Sequence, residues 1–571
     1  MFWRGHQTKK LRDRSLSSKA TMATHLVALS FSSNWSSPRI CAARNLRSNK
    51  TYPRACSTNS QLDQLDKSFI NHMENLKKVK SMLSQRNNQL ETLITVDSLK
   101  RLGIDYHFNE EITAIIDSLH KNLNNISQRG DMFAASLSFR LLREAGYFVP
   151  SNMFDRFTDE KGDFKPCLCK DMRGMLSLHD SSYLNTGEDI LYKANEFSRK
   201  HLKSSIRHLE PNLRTLVRDS LEHPYHMSLP SYKAKQYLSY LERSSQRIGA
   251  IEEIAIREFN LNQELHQKEL KVLARWWKNF GLVQQLTYAR DQLLKWYMWS
   301  MTIFQGPQLS EHRILLTKVI AFIYLIDDIF DVIGSPDELR IFTEVINKWE
   351  NSTPESLPDY MRACYMALFN LTSEIAHLIT KEHGLNPINS LKKSWVALCN
   401  AFMVEAKWFS AKYVPTTDDY LRNGSISSGV HVVSVHMFFL LGHGITKETI
   451  DLIESNPAVI SCTATILRLW DDLGSAKDEN QEGFDGSYIE CYMKENPHCS
   501  THNAREHVMH LISKKWEELN KEYFTQRTFS PDFIGASLNF TRMVRVMYGY
   551  DQQQKLPMLE DYANLLLFAK M

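Results

Sequence analysis

The sequence predicts an all-α protein of two helical domains behind a basic leader. Three observations carry this. At 571 residues the chain is too long for one ordinary core, so two domains are expected. Apolar residues recur near a 3.6-residue period in both halves, while strand-like alternation is hard to find. Glycines and prolines, among them Gly146, Pro150, Pro211, Pro224 and Pro230, punctuate the periodic stretches.

The leader, residues 1–57, carries many Arg, Lys and Ser, and Asp13 is its only acid. It lacks the compact apolar block and small-residue cleavage site of a secretory signal. Basic, Ser-rich and acid-poor is the composition of an organelle transit peptide; a disordered basic tail is the plainer alternative. Met22-Ala-Thr-His is a second plausible start. Composition does not separate mitochondrion from chloroplast.

Residues 58–270 are expected to form an N-terminal helical domain. Phe69, Met73, Leu76, Val79 and Leu83 follow helical spacing, and the stretches 110–123 and 132–142 read the same way. No paired metal-binding stripes occur here. His107, His179 and His208 stand isolated and are expected to be satisfied core or surface histidines.

Residues 271–571 are again helical and richer in aromatics, and carry the chemistry. Trp276-Trp277 reads as a buried aromatic pair. Gly424 and Ser427-Ser428-Gly429 interrupt the apolar stretch 430–441. Such a break either bends the helix and turns carbonyl oxygens into a pocket, or is a plain loop with a glycine cap.

Two clusters point to a reaction. The first is Ile323-Tyr-Leu-Ile-Asp-Asp-Ile-Phe-Asp-Val-Ile333, closing a helical run from Leu315 that Gly334-Ser335-Pro336 stops. Asp327 and Asp331 are spaced to share one helix face. They sit in the last turns, where the macrodipole disfavours negative charge. Acids crowded in an apolar setting need a compensating cation. Hard oxygen ligands suit Mg2+ or Mn2+, bound through a few carboxylates plus substrate phosphate. Alone, this pattern favours a solvated acidic helix end, because short acidic patterns are common; a second cluster downstream shifts the balance.

The second cluster is Arg468-Leu-Trp-Asp-Asp-Leu-Gly-Ser-Ala-Lys-Asp-Glu479. Asp471, Ser475 and Glu479 form one stripe about 12 Å long at roughly 1.5 Å per residue. Arg468, one turn earlier, offers a planar fork of donors for phosphate. Two oxygen-rich stripes and an arginine predict a metal-bound diphosphate held between two helices.

Together these motifs resemble those of the class I plant terpene synthases. Tyr288-Ala-Arg-Asp-Gln-Leu-Leu-Lys-Trp-Tyr-Met-Trp299 resembles the family's first diphosphate-binding arginine segment. Ser427-Ser-Gly-Val-His431 resembles its broken helix beside the cavity. Leu102-Gly-Ile-Asp-Tyr-His-Phe108, Phe139-Arg-Leu-Leu-Arg-Glu-Ala-Gly-Tyr147 and Leu176-Ser-Leu-His-Asp-Ser-Ser-Tyr-Leu184 resemble N-terminal landmarks. The resemblance spans nearly the whole chain after the leader. It implies a C-terminal α-bundle that ionises a prenyl diphosphate, beside an N-terminal helical partner without its own chemistry.

Residue by residue, the resemblance makes Asp327, Asp331, Asp471, Ser475 and Glu479 metal ligands. It places Arg290, 37 residues before Asp327, on the diphosphate with Arg468. The family's usual second arginine is replaced by Gln292. Trp299 and Gly429 match cavity-lining positions, with core packing an equal reading of Trp299. Tyr548 and Asp551 are not counted among the site residues. Three Mg2+ (or Mn2+) ions are implied; spacing alone implies at least two.

One family feature is missing. This chain has no adjacent arginines, and after Trp35 the next tryptophan is Trp276. The absent arginine-pair and tryptophan motif resembles the acyclic-product branch. A plastid location, linalool from geranyl diphosphate and nerolidol from farnesyl diphosphate are therefore expected. A myrcene or ocimene synthase is the alternative, ahead of an isoprenyl diphosphate synthase, which would normally carry a second Asp-Asp-x-x-Asp, or an acidic helical scaffold.

Composition limits the partners. Apolar (43%) and charged (23%) fractions are those of a globular protein, and a net charge of +4 gives no electrostatic case for nucleic acid. No run of about eighteen apolar residues occurs, so no membrane span is expected. Nine cysteines without a Cys-x-x-Cys read as reduced thiols. A monomer is expected.

Overall fold

The computed structural model describes residues 59–84, 89–123, 131–243, 249–280, 292–353, 355–475, 486–525, 527–551 and 555–569. Among them no strand is present beyond one isolated bridge between Thr158 and Phe164. The first half holds α1 (Asn59–Ser84), α2 (Gln89–Arg101), α3 (Asn109–Lys121), α4 (Met132–Glu144), α5 (Met172–Ser182), α6 (Asp189–Ser205), α7 (Pro211–Glu222) and α8 (Pro230–Arg243). A long helix, α9 (Ala250–Asn279), leads into α10 (Leu293–Ile303), α11 (Ser310–Asp328), α12 (Pro336–Lys348), α13 (Asp359–His383) and α14 (Ile388–Ser410). Then come α15 (Thr417–Ser427), α16 (Val430–Leu441), α17 (Lys447–Glu454), α18 (Ala458–Ser475), α19 (Tyr488–Glu495), α20 (Thr501–Thr525), α21 (Pro531–Tyr548) and α22 (Pro557–Ala563). The protein is all-α, as its periodicity predicts.

Local chemistry sets the helix ends. Asp131 caps α4 by accepting from Ala134 N at 2.7 Å, and Asp171 caps α5 through Gly174 N at 2.9 Å. Each satisfies an amide that the first turn leaves open. At Ser335-Pro336 a reciprocal capping box with Glu338 starts α12. The preceding run does not end as a regular α-helix. Its last five residues, Ile329–Ile333, form a π-helical turn closed by Gly334 N on Ile329 O at 2.8 Å. Asp327 therefore lies on α-helix and Asp331 on the wider turn, so the one-turn stacking expected from spacing is altered.

Burial organises the chain around two apolar cores. Val79, Leu99, Phe108, Phe139, Leu178 and Leu202 belong to one; Trp296, Phe322, Leu368, Trp395, Phe439 and Leu469 belong to the other. Helix α9 serves both. Its Ile251, Ile254 and Ala255 pack in the first core, and its Leu273 and Trp277 in the second. It runs unbroken through position 270, where the sequence places a domain boundary. Polar contacts reinforce the junction: Asn520 of α20 donates to Asn185 O at 2.8 Å, and Arg542 of α21 donates to His226 O at 2.7 Å.

Within Thr417–Leu441 an 18-residue window reaches a mean hydropathy of 1.4, enough by length and composition to cross a membrane. In this fold 83% of that window is buried inside the protein, as befits a core element.

Candidate active site

An apolar cleft opens between α10, α11, α16, α18 and α21. Helix α11 supplies Ile320, Ile323, Tyr324 and Asp327, which recur at helical spacing and so share one face. Trp299, Val433, Leu467 and Phe540 complete apolar walls. The Trp299 ring meets Phe540 edge-on at 5.2 Å, an arrangement favoured by the aromatic quadrupoles. Asp327, with Tyr324 and Tyr548, marks the polar end. The cleft thus pairs an apolar interior with an anionic rim.

The helix break lies against this cavity. Gly429 sits at φ +75°, in the left-handed region that favours glycine. A Cβ there would also stand 2.7 Å from Ile323 Cγ2, inside the cavity wall. Both constraints require glycine at the point where α15 gives way to α16. Serine hydroxyls take up nearby backbone groups: Ser428 Oγ donates to Ser425 O at 3.0 Å and accepts from Val430 N at 3.3 Å.

The acids divide by role. Asp327 is 2% exposed at the cleft, Asp328 is buried beside it, and Asp331 is half-buried. On α18, Leu467 lines the cleft and Asp471 follows one turn later. The Tyr548 hydroxyl feels Asp471 electrostatically; burial, then Tyr324 and Asp471, hold its pKa well above the ordinary value. It stays a protonated donor at the cleft. Asp472 is engaged elsewhere. It accepts from the Tyr420 hydroxyl at 2.9 Å and from Tyr488 N at 3.0 Å, tying α18 to α15 and α19. Burial pushes its pKa up to about 7 and Asp471 adds to the shift, against the pull of Arg468.

Arg468 is also buried. Its Nη2 donates to Ser427 Oγ at 2.6 Å and lies 3.4 Å from Glu405 Oε1. Burial opposes its charge, but Glu405 foremost holds the guanidinium well above its ordinary pKa. Gly424 makes room for it, since a Cβ there would stand 3.1 Å from Arg468 Nε. The structure therefore places Arg468 between α14 and the helix break. That position suits fixing the cavity wall, besides the phosphate contact expected from sequence.

Ser475 ends α18 one turn past Asp471. Arg290 and Glu479 lie outside the described residues. Among the cleft residues, Tyr324 and Phe540 escaped the sequence reading, which considered Tyr548 and set it aside. Tyr324 is one turn before Asp327, so helical spacing alone could have flagged it. Phe540 and Tyr548 come from α21, and nothing local ties that helix to the acidic motifs. The contact is tertiary: a Cβ on Gly474 would meet the Tyr550 ring at 2.4 Å and Tyr548 O at 3.1 Å. Only glycine lets the end of α21 close over the end of α18.

The donor set is hard: carboxylates from two helices at the rim of an apolar, aromatic cleft. It fits a divalent cation of the Mg2+ or Mn2+ type and an anionic ligand head, with an apolar tail inside.

Comparison with known proteins agrees with this arrangement. Residues 278–518 match "Terpene synthase family, metal binding domain", and residues 49–221 match "Terpene synthase, N-terminal domain". The chain is 43% identical to an (E)-nerolidol synthase of Cannabis sativa over 95% of this chain and 100% of that protein. It is 42% identical to a chloroplastic S-(+)-linalool synthase of Arabidopsis thaliana over 87% of this chain and 88% of that one. It is 40% identical to a chloroplastic tricyclene synthase of Antirrhinum majus over 85% of each. Among solved structures, isoprene synthase from grey poplar, in complex with three Mg2+ ions and dimethylallyl-S-thiolodiphosphate, superposes with a TM-score of 0.84 at 31% identity. That match covers 89% of this chain and 98% of the poplar chain.

Proposed function

This chain belongs to the terpene synthase family, and we propose that it ionises geranyl diphosphate and quenches the allylic cation with water to give linalool, with nerolidol formed from farnesyl diphosphate. The carrying observation is the apolar, aromatic cleft bearing buried Asp327, with buried Asp471 one turn past the cleft-lining Leu467 on α18.

Asp327 and Asp331 would hold Mg2+ (or Mn2+) on one side and Asp471, Ser475 and Glu479 on the other, the set completing three ions as in the poplar complex. Bound there, the metal supplies Lewis-acid stabilisation of the diphosphate as the C–O bond breaks. Arg290 adds charge-assisted hydrogen bonds to the departing anion. Arg468 either joins it or holds the cavity wall through Ser427 and Glu405. The Trp299 face stabilises the cation by roughly 0.5–2 kcal/mol. Gly429 lets the wall approach Ile323. Water then adds at C3 and loses a proton, giving a tertiary alcohol.

The missing arginine-pair motif and the similarity to a nerolidol and a linalool synthase support this outcome. The similar tricyclene synthase shows that overall likeness alone does not choose the product, so the assay must. Trans geometry about C2–C3 blocks direct six-membered closure, and early water pre-empts the rotation that a ring requires. Incubation with geranyl diphosphate in 18O-labelled water is expected to give labelled linalool. Unlabelled linalool would overturn water capture; myrcene, ocimene or a ring as the main product would overturn the alcohol assignment. Formation of a longer diphosphate with isopentenyl diphosphate would instead indicate chain extension.

Residues 58–270 are proposed as a helical partner to the metal-binding domain from 271 onward, and residues 1–57 as a plastid leader. Two of the relatives are named chloroplastic, and the leader is basic and acid-poor. A fluorescent protein carrying residues 1–57 is expected in plastids. Cytosolic fluorescence would refute this and favour nerolidol as the cellular product.

A further inference from the structure

Three side chains of the N-terminal half, distant in sequence, converge at one point. They are His72 of α1, His107 of the short turn Asp105–Phe108, and Glu258 of α9, with ligating atoms all within 4.8 Å of one another. The His107 Nε2 lies 3.5 Å from Glu258 Oε1, and the His72 Nε2 lies 3.9 Å from the same oxygen. The two imidazoles meet edge-on, with centroids 5.9 Å apart. A tetrahedral ion with bonds of about 2.0–2.2 Å holds its ligand atoms roughly 3.4 Å apart. One pair already stands near that separation. The others lie within 4.8 Å.

The surroundings suit a metal better than a plain ion pair. His72 Nδ1 is buried without a hydrogen-bond partner, and His107 Nε2 has only the Glu258 oxygen at 3.5 Å, too long for a good hydrogen bond. Such nitrogens are costly unless something occupies their lone pairs or protons. The other carboxylate oxygen, Glu258 Oε2, accepts from the Tyr106 hydroxyl at 2.8 Å. That is the kind of outer contact that orients a ligating carboxylate. Arg257 directly precedes Glu258 on α9. It is the cation that a bound ion must tolerate, and the Glu258 charge offsets it. Glu253, the next acid toward the start of α9, is engaged by Asn71 and Asn75 at 3.1 and 2.6 Å.

We propose that His72, His107 and Glu258 form a transition-metal site of the Zn2+ class, distinct from the oxygen-only catalytic rim, which fastens α1 and the 105–108 turn to α9. Two imidazoles and one carboxylate, with a fourth position for water, match zinc chemistry; hard carboxylates alone favour Mg2+. The site also has a mechanical sense. Helix α9 continues into the second core, so an ion on Glu258 braces the helix that both cores share.

The full chain, stripped with chelator and dialysed against trace Zn2+ in excess Mg2+, is expected to retain one equivalent of zinc. His72→Gln and His107→Ala should lose it, while Asp327→Ala should keep it. Co2+ in place of zinc should give the strong visible bands of a tetrahedral site in the wild type and not in His72→Gln. Zinc should raise the Tm by a few degrees only where the site is intact. Zinc that vanishes in Asp327→Ala but persists in the histidine variants would overturn the assignment, as would a wild-type chain without the cobalt bands. The spectrum of the wild type decides the matter even if His107→Ala does not fold.

Discussion

Replacing Asp327 with alanine is expected to lower diphosphate release at least about a thousandfold, a loss of roughly 4 kcal/mol of transition-state stabilisation, while the protein stays folded. Asp327 lies at the C-terminal end of α11 and is 2% exposed. Three features there work against a carboxylate: burial, the negative end of the helix dipole, and the acids Asp328 and Asp331 close in sequence. A group so placed is a liability for folding and an asset for binding a cation. Its removal should leave the Tm unchanged or raise it, while turnover collapses because the metal–diphosphate assembly loses a ligand. Glu479→Ala should do the same from the opposite stripe. The measurement is diphosphate release at saturating Mg2+ alongside thermal unfolding. Normal turnover in Asp327→Ala would remove the acid from the site; lost turnover with a collapsed Tm would make it structural.

Much of this site was legible because its pieces are local. Asp327, Asp471 and the glycine break each lie on or beside a helix whose apolar spacing is plain, so their placement on a face could be read locally. The all-α architecture followed from the same periodicity. What escaped depends on contacts between elements. The π-helical turn at Ile329–Ile333 has no marker in apolar spacing, since the same residues read as continuous α-helix. The adjacent acids Asp471 and Asp472 look equivalent in sequence, yet Tyr420 and the amide of Tyr488 claim the second. The Glu405 partner of Arg468, 63 residues earlier, could not be found by spacing. His107, isolated along the chain, acquires His72 and Glu258 only when α1, a short turn and α9 pack together. Periodicity reveals which face an element buries, but not which partner meets it.

Arg313→Ala is expected to destabilise the protein by about 3–5 kcal/mol, the cost of breaking a buried ion pair from one side. Arg313 is fully buried in the first turn of α11 and Glu269, on α9, is 2% exposed. The fork is bidentate: Nε donates to Glu269 Oε2 at 2.9 Å and Nη2 to Oε1 at 2.6 Å. Its third arm, Nη1, donates to Phe304 O at 3.0 Å and Gly306 O at 2.6 Å, pinning the connection between α10 and α11. Tyr297 of α10 adds a hydrogen bond to Glu269 Oε2 at 2.7 Å. One guanidinium thus joins α9, α10 and the helix that carries Asp327. Alanine would leave a buried carboxylate and two backbone carbonyls, Phe304 O and Gly306 O, without their guanidinium donor. The pH dependence follows with a definite sign. Burial raises the Glu269 pKa, but Arg313 first, then His266, bring it down to about 2. In the unfolded chain it returns to about 4.3. This stabilisation is therefore complete above about pH 4.3 and is lost as pH falls toward 2. Arg313→Ala should lower the midpoint of unfolding near neutral pH and flatten the acid-side decline. A double change to apolar residues, Glu269→Leu with Arg313→Met, should recover much of the loss, because neither charge is then left buried alone. A single variant within about 1 kcal/mol of wild type, or one with an unaltered acid profile, would show that the three helices are held by their apolar contacts instead.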